Sequence, residues 1–366
     1  MKNKENVSAC RKKTSIGGQA LMEGIMMRGP QKTFMAVRNT KGEIVVEEVE
    51  TRAAKRPKFC RWPVIRGLFG YIDSMTLGYK CLMRSAELSG LEDLVEESPK
   101  KKKKRLEREA RLAAERGESA PVEESVPTAE TEEKPKEEEK VPAWVMTLMM
   151  VFSFVFAFAL AIGLFMFLPT LLYQWIVKGL PFLVSDSMAV NSLVKSVFEG
   201  VFKIVLLVGY MAAITLMKDI RRTFMYHGAE HKAIFCYEAG LELTVANVRA
   251  QRRFHPRCGT SFLILMLLVS IFVSFFIDPI SIIVSGSVLP VLWRVLVKLL
   301  LIPIIVGLGY ELIKFAGRRD NALTRFISAP GVWLQHITVF EPTDDMIECA
   351  IESLSRVIPN DESDNW

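Results

Sequence analysis

The sequence has little histidine, four residues in 366. Its six cysteines lack any paired spacing. Cys10, Cys60, Cys81, Cys236, Cys258 and Cys349 stand far apart, which excludes a zinc ribbon and the disulfide framework of small secreted domains. The amino terminus lacks the apolar core of a signal peptide: it opens on Lys, Glu and Asn and stays polar, so the first spans are expected to serve as the insertion signal. A strong net charge is also missing. At +6 the balance does not indicate nucleic acid, and in a membrane chain the placement of Lys and Arg matters more than their sum.

What is present is unevenly spread. Half the residues are apolar and 24% are charged, but the charges collect before Val141 and in a few later loops. A soluble α/β enzyme would mix them. About four apolar blocks reach the ~20 residues that a bilayer-spanning helix needs: residues 142–175, with a break near Pro169, 193–217, 261–277 and 289–313. Trp144, Trp175 and Trp293 fall near block ends, where amphipathic rings favour the headgroup region. The predicted spans contain few ionisable residues, with Lys195, Glu199, Lys203 and Glu311 towards their ends, which argues against a transport pathway.

The remaining segments complete a mainly α membrane protein. Residues 1–90 read as a small α+β cytosolic unit. Within it, 34–38 and 43–47 flank the Gly-containing turn 39–42 as a β-hairpin, and Pro63 opens a helix to about Glu87 that is too polar to span. The Gly- and Met-rich run 15–30 suggests tight turns or close backbone approach, with Glu23 and Arg28 as a structural ion pair or as site-lining groups. Residues 91–141 are a charged, Pro-containing linker, expected to be disordered. The membrane domain covers 142–313, and 314–366 form a cytosolic segment with helices. The loop 218–260 carries eight Lys and Arg, among them Arg221, Arg222, Arg252 and Arg253, whereas the loop 278–290 has none. The positive-inside rule therefore predicts a multi-pass protein of the plasma membrane with both termini and the 218–260 loop in the cytoplasm. Membrane lipids are its expected contacts, and the cysteines fall on the reducing side.

Three of the four histidines lie in that loop. His227-Gly228-Ala229-Glu230-His231 is an H-x-x-E-H run. On a helix, His227 and His231 share a face with Glu230 beside them, a spacing that suits two imidazoles on one divalent ion and a carboxylate as ligand or base. Glu238, seven residues after His231, falls on nearly the same face and is a candidate third ligand. A second cluster, His255-Pro256-Arg257-Cys258, brings borderline and soft donors to the start of the third span, and both His255 and Cys258 could join a Zn²⁺-type ion. The plainer alternatives are a polar helix face for the histidines, a small buried hydrophobe for Cys258, and topology or headgroup roles for the arginines.

These motifs are long enough to carry a resemblance. The run from Gly17 to Pro30, the run from Tyr226 to Lys232 with His255 to Ser261, and Ala329-Pro330-Gly331-Val332-Trp333-Leu334-Gln335 with Glu341-Pro342 together resemble the YqhQ family of bacterial multi-pass membrane proteins. That is an uncharacterised family carrying the label of a predicted metal-dependent enzyme. The resemblance covers nearly the whole chain outside the linker. It implies a basic residue at position 336, which argues against His336 as a ligand. Two functions follow as expectations. One is a metal-dependent, hydrolase-like enzyme with a cytosolic-face site, in which His227, His231 and either His255 or Cys258 hold the metal and Glu230 is the base. The other is a membrane scaffold or assembly factor that recruits a cytosolic protein partner.

Overall fold

The computed structural model describes residues 13–50, 57–90, 143–180, 184–319, 321–361 and 363–365. The linker 91–141 and Cys10 lie outside the described residues, as does the side chain of Trp144. The chain separates into two compact units, residues 1–90 with 163–366, and residues 91–162.

The first unit opens with an antiparallel sheet of β1 (Gly17–Leu21), β2 (Gly24–Arg28), β3 (Thr33–Arg38) and β4 (Ile44–Glu48), paired in that order. The expected hairpin is β3–β4, with Arg38 opposite Ile44. Its turn is tied by the Asn39 carboxamide oxygen, which accepts from the Lys41 and Glu43 amides at 2.9 Å each, and Gly42 takes the left-handed φ of +85° that the turn requires. The Gly/Met-rich run is not a set of turns but the strands β1 and β2. Its glycines permit close pairing: a Cβ on Gly24 would lie 2.4 Å from the Ala36 carbonyl oxygen. The expected Glu23–Arg28 pair does not form. Glu23 sits in the β1–β2 turn at φ +52°, where it pairs with Arg222 and accepts from the Tyr226 hydroxyl at 3.1 Å. Arg28 lies at the far end of β2.

The helices of this unit are α1 (Ile65–Leu88), then, after the second unit's α2 (Ala143–Ile162), α3 (Leu168–Gly179), α4 (Met188–Ile214), α5 (Lys218–Glu238), the short α6 (Val245–Arg249), α7 (Gly259–Ser285), α8 (Val291–Arg318), α9 (Ala322–Thr338) and α10 (Asp344–Val357). Alternation along the strands sends side chains to both faces of the sheet, and both faces are covered. Ile25, Met27 and Ala36 pack with Tyr226, Ala229 and Ala233 of α5 and with Ile347, Ala350 and Leu354 of α10. Leu21, Met26, Met35 and Val37 pack with Leu77 and Cys81 of α1. Helix α1 also lies along α8, where Gly67 meets Tyr310 and Arg66 grips Glu311 with two bonds of 2.6 and 2.5 Å. The five described cysteines are buried and free.

Four helical stretches among the described residues are long and apolar enough to cross a bilayer: Val151–Gly179, Met188–Ile214, Gly259–Ser285 and Val291–Arg318. The first passes through Pro169 rather than ending there. A π-turn over Gly163–Phe167 widens the backbone just before the proline, which has no N–H to give and would clash with the preceding turn. The second starts at Met188, earlier than apolar content alone suggested, and the third continues to Ser285. The expectation that the few ionisable residues lie towards span ends does not hold. Lys195, Glu199 and Lys203 lie well inside α4, and Asp278, Arg294 and Lys298 lie inside α7 and α8. All but the half-buried Lys195 are buried. Arg294 pairs with Asp278, whose Oδ2 also accepts from Ser192 at 3.0 Å. Glu199 accepts from Thr170 at 2.7 Å and from Lys298 at 3.2 Å.

Candidate metal centre

Helix α5 carries the first histidine motif through the middle of the unit. Every residue from Tyr226 to Cys236 is buried, because the sheet, α10 and the strand-like segment after α9 surround that stretch. Gly228 belongs to this packing. A Cβ there would lie 2.0 Å from the Phe340 carbonyl oxygen, so only glycine lets the chain pass this close. The helix ends at Glu238, and Gly240 just beyond it takes the left-handed φ of +69°.

The second motif is held by Gln335 of α9. Its carboxamide accepts from the His255 amide at 2.8 Å and donates to the His255 carbonyl at 2.7 Å and to Ser261 Oγ at 3.1 Å. This clamp fixes the turn that ends at Cys258, the N-cap of α7. Cys258 is thereby presented to α5. One ligand atom each from His227, His231 and Cys258 lies within 4.8 Å of the others. His227 Nε2 stands 2.9 Å from Cys258 Sγ.

The ring orientations are set from behind. His227 Nδ1 donates to the Thr338 carbonyl at 3.1 Å, and His231 Nδ1 donates to the Arg253 carbonyl at 2.6 Å. With Nδ1–H committed, each neutral ring keeps its lone pair on Nε2, the arrangement that backbone carbonyls impose on metal-binding histidines. Among the described residues, His231 Nε2 and Glu230 Oε2 are buried without a hydrogen-bond partner. Buried polar atoms are rarely left so, and these two abut a cavity of about 130 Å³ between the β1 edge and α5, lined also by Gly17, Gly18 and His255. The donor set of two imidazoles and a thiolate suits a Zn²⁺-type ion, and the unsatisfied atoms give it unfilled positions to serve.

The electrostatics agree with the donor chemistry. Burial disfavours a Cys258 thiolate, but His227 and then His231 outweigh it and hold the thiol well below its ordinary range. Burial likewise opposes a charged His227, yet the neighbouring Cys258 sulfur raises the ring to about 9. Burial raises the Glu230 carboxyl, with His227 and His231 opposing, so this group holds a proton more readily than a free carboxylate.

The other expected ligands are placed differently. Arg257 occupies both ring nitrogens of His255, its amide donating to Nδ1 at 3.2 Å and its guanidinium facing Nε2 at 3.4 Å, and Nε2 also lies 3.8 Å from Glu238. Glu238 pairs with Arg257 and accepts from the Thr14 amide at 2.9 Å. The His255 ring lies beside His231, with centroids 5.5 Å apart, but its lone pair is spent elsewhere. The two motifs therefore meet through Cys258, while His255, Glu238 and Arg257 form an adjoining polar cluster. His336 is exposed on α9 and lies tilted against Phe254, with ring centroids 4.4 Å apart.

Sequence reading missed Arg257 as the partner of Glu238, Gln335 as the clamp and Gly18 as a neighbour of Glu230. A Cβ on Gly18 would lie 3.0 Å from the Glu230 carboxyl carbon. The one signal available was the pair Gly17-Gly18 itself, which announces close approach without naming what approaches.

Residues 62–360 match the model of a family described as "Protein of unknown function (DUF1385)". The chain belongs to this family. It is also 30% identical over 349 residues to "Uncharacterized protein YqhQ" of Bacillus subtilis (strain 168), an alignment covering 94% of this chain and 92% of that one, as the motif resemblance implied. No solved structure matches the chain. Both histidine motifs and the clamping Gln335 fall within the residues matched to the DUF1385 family. The Gly17-Gly18 pair at the cavity falls outside that match.

Proposed function

We propose that this chain is a membrane-embedded, metal-dependent hydrolase-like enzyme of the plasma membrane, with both termini and its reaction centre on the cytoplasmic side. His227, His231 and Cys258 hold a divalent ion of the zinc class. The observation that carries this reading is the pair of unsatisfied buried atoms, His231 Nε2 and Glu230 Oε2, next to a thiolate-prone cysteine. A bound divalent ion supplies Lewis-acid activation of water and substrate. Around it, Thr338 and Arg253 carbonyls orient the two rings, and Glu230 accepts a proton at Oε2 and returns it to the leaving group. The Gly18 edge leaves room for that carboxyl while the surrounding helices exclude bulk water.

A second reading draws on the 2.9 Å approach of His227 Nε2 to Cys258 Sγ: an imidazole-activated thiol nucleophile. It leaves His231 Nε2 and Glu230 Oε2 unsatisfied, and Cys258 is only 5% exposed, so the metal reading accounts for more of the centre. Cobalt(II) titration of the purified protein separates the two. The metal reading predicts a thiolate-to-cobalt absorption band that disappears in Cys258→Ser. No band, together with stoichiometric alkylation of Cys258, would establish the thiol reading instead. Failure of both would return the chain to the scaffold class.

A further inference from the structure

Helix α4 is polar on its inner face. Its buried residues are Ser192, Ser196, Glu199, Gly200 and Lys203, whereas Leu193, Val194, Val197, Val201 and Val205 are exposed. A helix of a soluble protein turns its apolar stripe to the core. In a bilayer the apolar face meets lipid, and ionisable groups turned inward are costly and mark binding sites or ion pathways. Lys195, Glu199 and Lys203 follow at four-residue spacing and so share one face. Arg294 and Lys298 repeat that spacing on α8.

Charge does not balance along this seam. The buried cations are Lys203, Arg294 and Lys298, and the buried carboxylates are Glu199 and Asp278. Asp278 takes Arg294. Glu199 takes Lys298 at 3.2 Å and Arg294 Nη1 at 3.5 Å, and its Oε1 also accepts from Thr170 at 2.7 Å. Lys203 is left over. It is 5% exposed, and its ammonium group meets that of Lys298. Among the described residues no carboxylate forms an ion pair with it. The half-buried Lys195 adds positive charge on the same face. Two ammonium groups in contact within an apolar bundle repel each other, and water is too scarce there to screen them. A second sign of an occupant is independent of this count. Among the described residues Arg294 Nε is buried without a hydrogen-bond partner, as is Asp278 Oδ1, and buried polar atoms are rarely left so.

We infer that the four-span bundle binds a small monovalent inorganic anion, with Lys203 and Lys298 as its cationic partners. One negative charge settles the excess of three buried cations over two carboxylates, and the depth of Lys203 suits an ion of halide or nitrate size. The site is separate from the candidate metal centre: Asp278 lies about 30 Å along α7 from Cys258, at about 1.5 Å per residue. It holds whether or not the chain is an enzyme.

The test is thermal unfolding of the full-length protein in detergent, with sodium chloride titrated in against sodium gluconate at constant ionic strength. An anion that binds only the folded state raises the midpoint. The expected result for the wild type is a saturable rise of at least about 2 °C in chloride. Lys203→Met should remove the chloride dependence, and in gluconate its midpoint should equal or exceed that of the wild type, because an uncompensated buried charge is gone. Lys203→Gln is a second variant, read in the same way. Lys41→Gln with Arg356→Gln, two exposed positions, should keep the full rise. No saturable rise in the wild type, or an equal rise in the Lys203 variants, overturns the inference. Loss of the rise in the surface control also overturns it, by placing the effect at the protein surface. A lower midpoint or failure to fold of both Lys203 variants in gluconate would make Lys203 a structural counter-ion of Glu199 instead.

Discussion

His227 and Cys258 are 31 positions apart in sequence and 2.9 Å apart at Nε2 and Sγ. Their meeting depends on Gln335, which clamps the His255 turn, and on Gly228, which lets α5 slide under Phe340. Metal uptake at this pair should be coupled to protons. His227 in the metal-free protein is raised to about 9 by the sulfur beside it, so below that pH the ring carries a proton that a metal must displace. Affinity is therefore expected to fall as pH drops from 9 to 6. Calorimetry in buffers of different ionisation enthalpy should find net proton release at pH 7; uptake without release would contradict this state of the pair.

The His255–Glu238 cluster predicts acid sensitivity of the fold. Burial lowers His255 from 6.5 to about 4. Its folded value thus lies below its unfolded one, and the unfolded chain takes up the proton first. Stability is complete above about pH 6.5 and is lost as pH falls towards 4, by about 3 kcal/mol at about 1.4 kcal/mol per unit. Glu238 acts in the same direction. Burial opposes its charge, but the His255 hydrogen bond and Arg257 hold it below the usual carboxylate range, a contribution that is present above its unfolded pKa and lost in acid. Thermal unfolding in detergent should show a falling midpoint over this window, flattened in His255→Gln. An equally steep fall in that variant would show that the drop comes from other groups.

Gly228→Ala tests the helix crossing. Alanine favours the helix itself by about 1 kcal/mol, yet its Cβ would stand 2.0 Å from a backbone oxygen that cannot rotate away. Overpacking of this kind costs about 1–3 kcal/mol, occasionally more, so the net change is expected to be destabilising. It should also displace His227 and weaken metal binding. A midpoint equal to or above the wild type would mean that α5 and Phe340 are not in contact.

The charges inside the spans give a paired prediction. Arg294→Met alone strands the buried Asp278 and removes one partner of Glu199, which keeps Lys298, and breaking a buried pair in this way costs about 3–5 kcal/mol. The double variant Arg294→Met with Asp278→Leu should recover most of that loss. If the double variant is no better than the single one, the two side chains do not depend on each other.

The spans, the β3–β4 hairpin and the H-x-x-E-H helix were legible because each is a local pattern: a long apolar run, an alternating run around a Gly turn, a fixed spacing. The rest depended on partners remote in sequence. Strands β1 and β2 were hidden because Gly17, Gly18 and Gly24 look like turn residues until β3 is known to pair closely beside them. Asp278 read as a loop residue until α7 is seen to extend past it, and its partner Arg294, inside the expected fourth span, could not be named before the two helices are seen to meet. At the centre, spacing gave His227 and His231 as a pair but left His255, Cys258 and Glu238 open as the further ligand. Only the hydrogen bonds of the second nitrogen separate them: His231 Nδ1 is tied to a backbone carbonyl, while His255 Nδ1 is already an acceptor.

The central claim is that His227, His231 and Cys258 form one metal centre. Elemental analysis of the purified full-length protein tests it most directly, with His227→Ala/His231→Ala and Cys258→Ser prepared alongside. The account predicts about one divalent ion per chain in the wild type, none in the histidine double variant and a strongly reduced content in Cys258→Ser, with folding of all three verified by circular dichroism. Stoichiometric metal retained in the double variant, or none in a wild-type protein reconstituted with zinc, would contradict it.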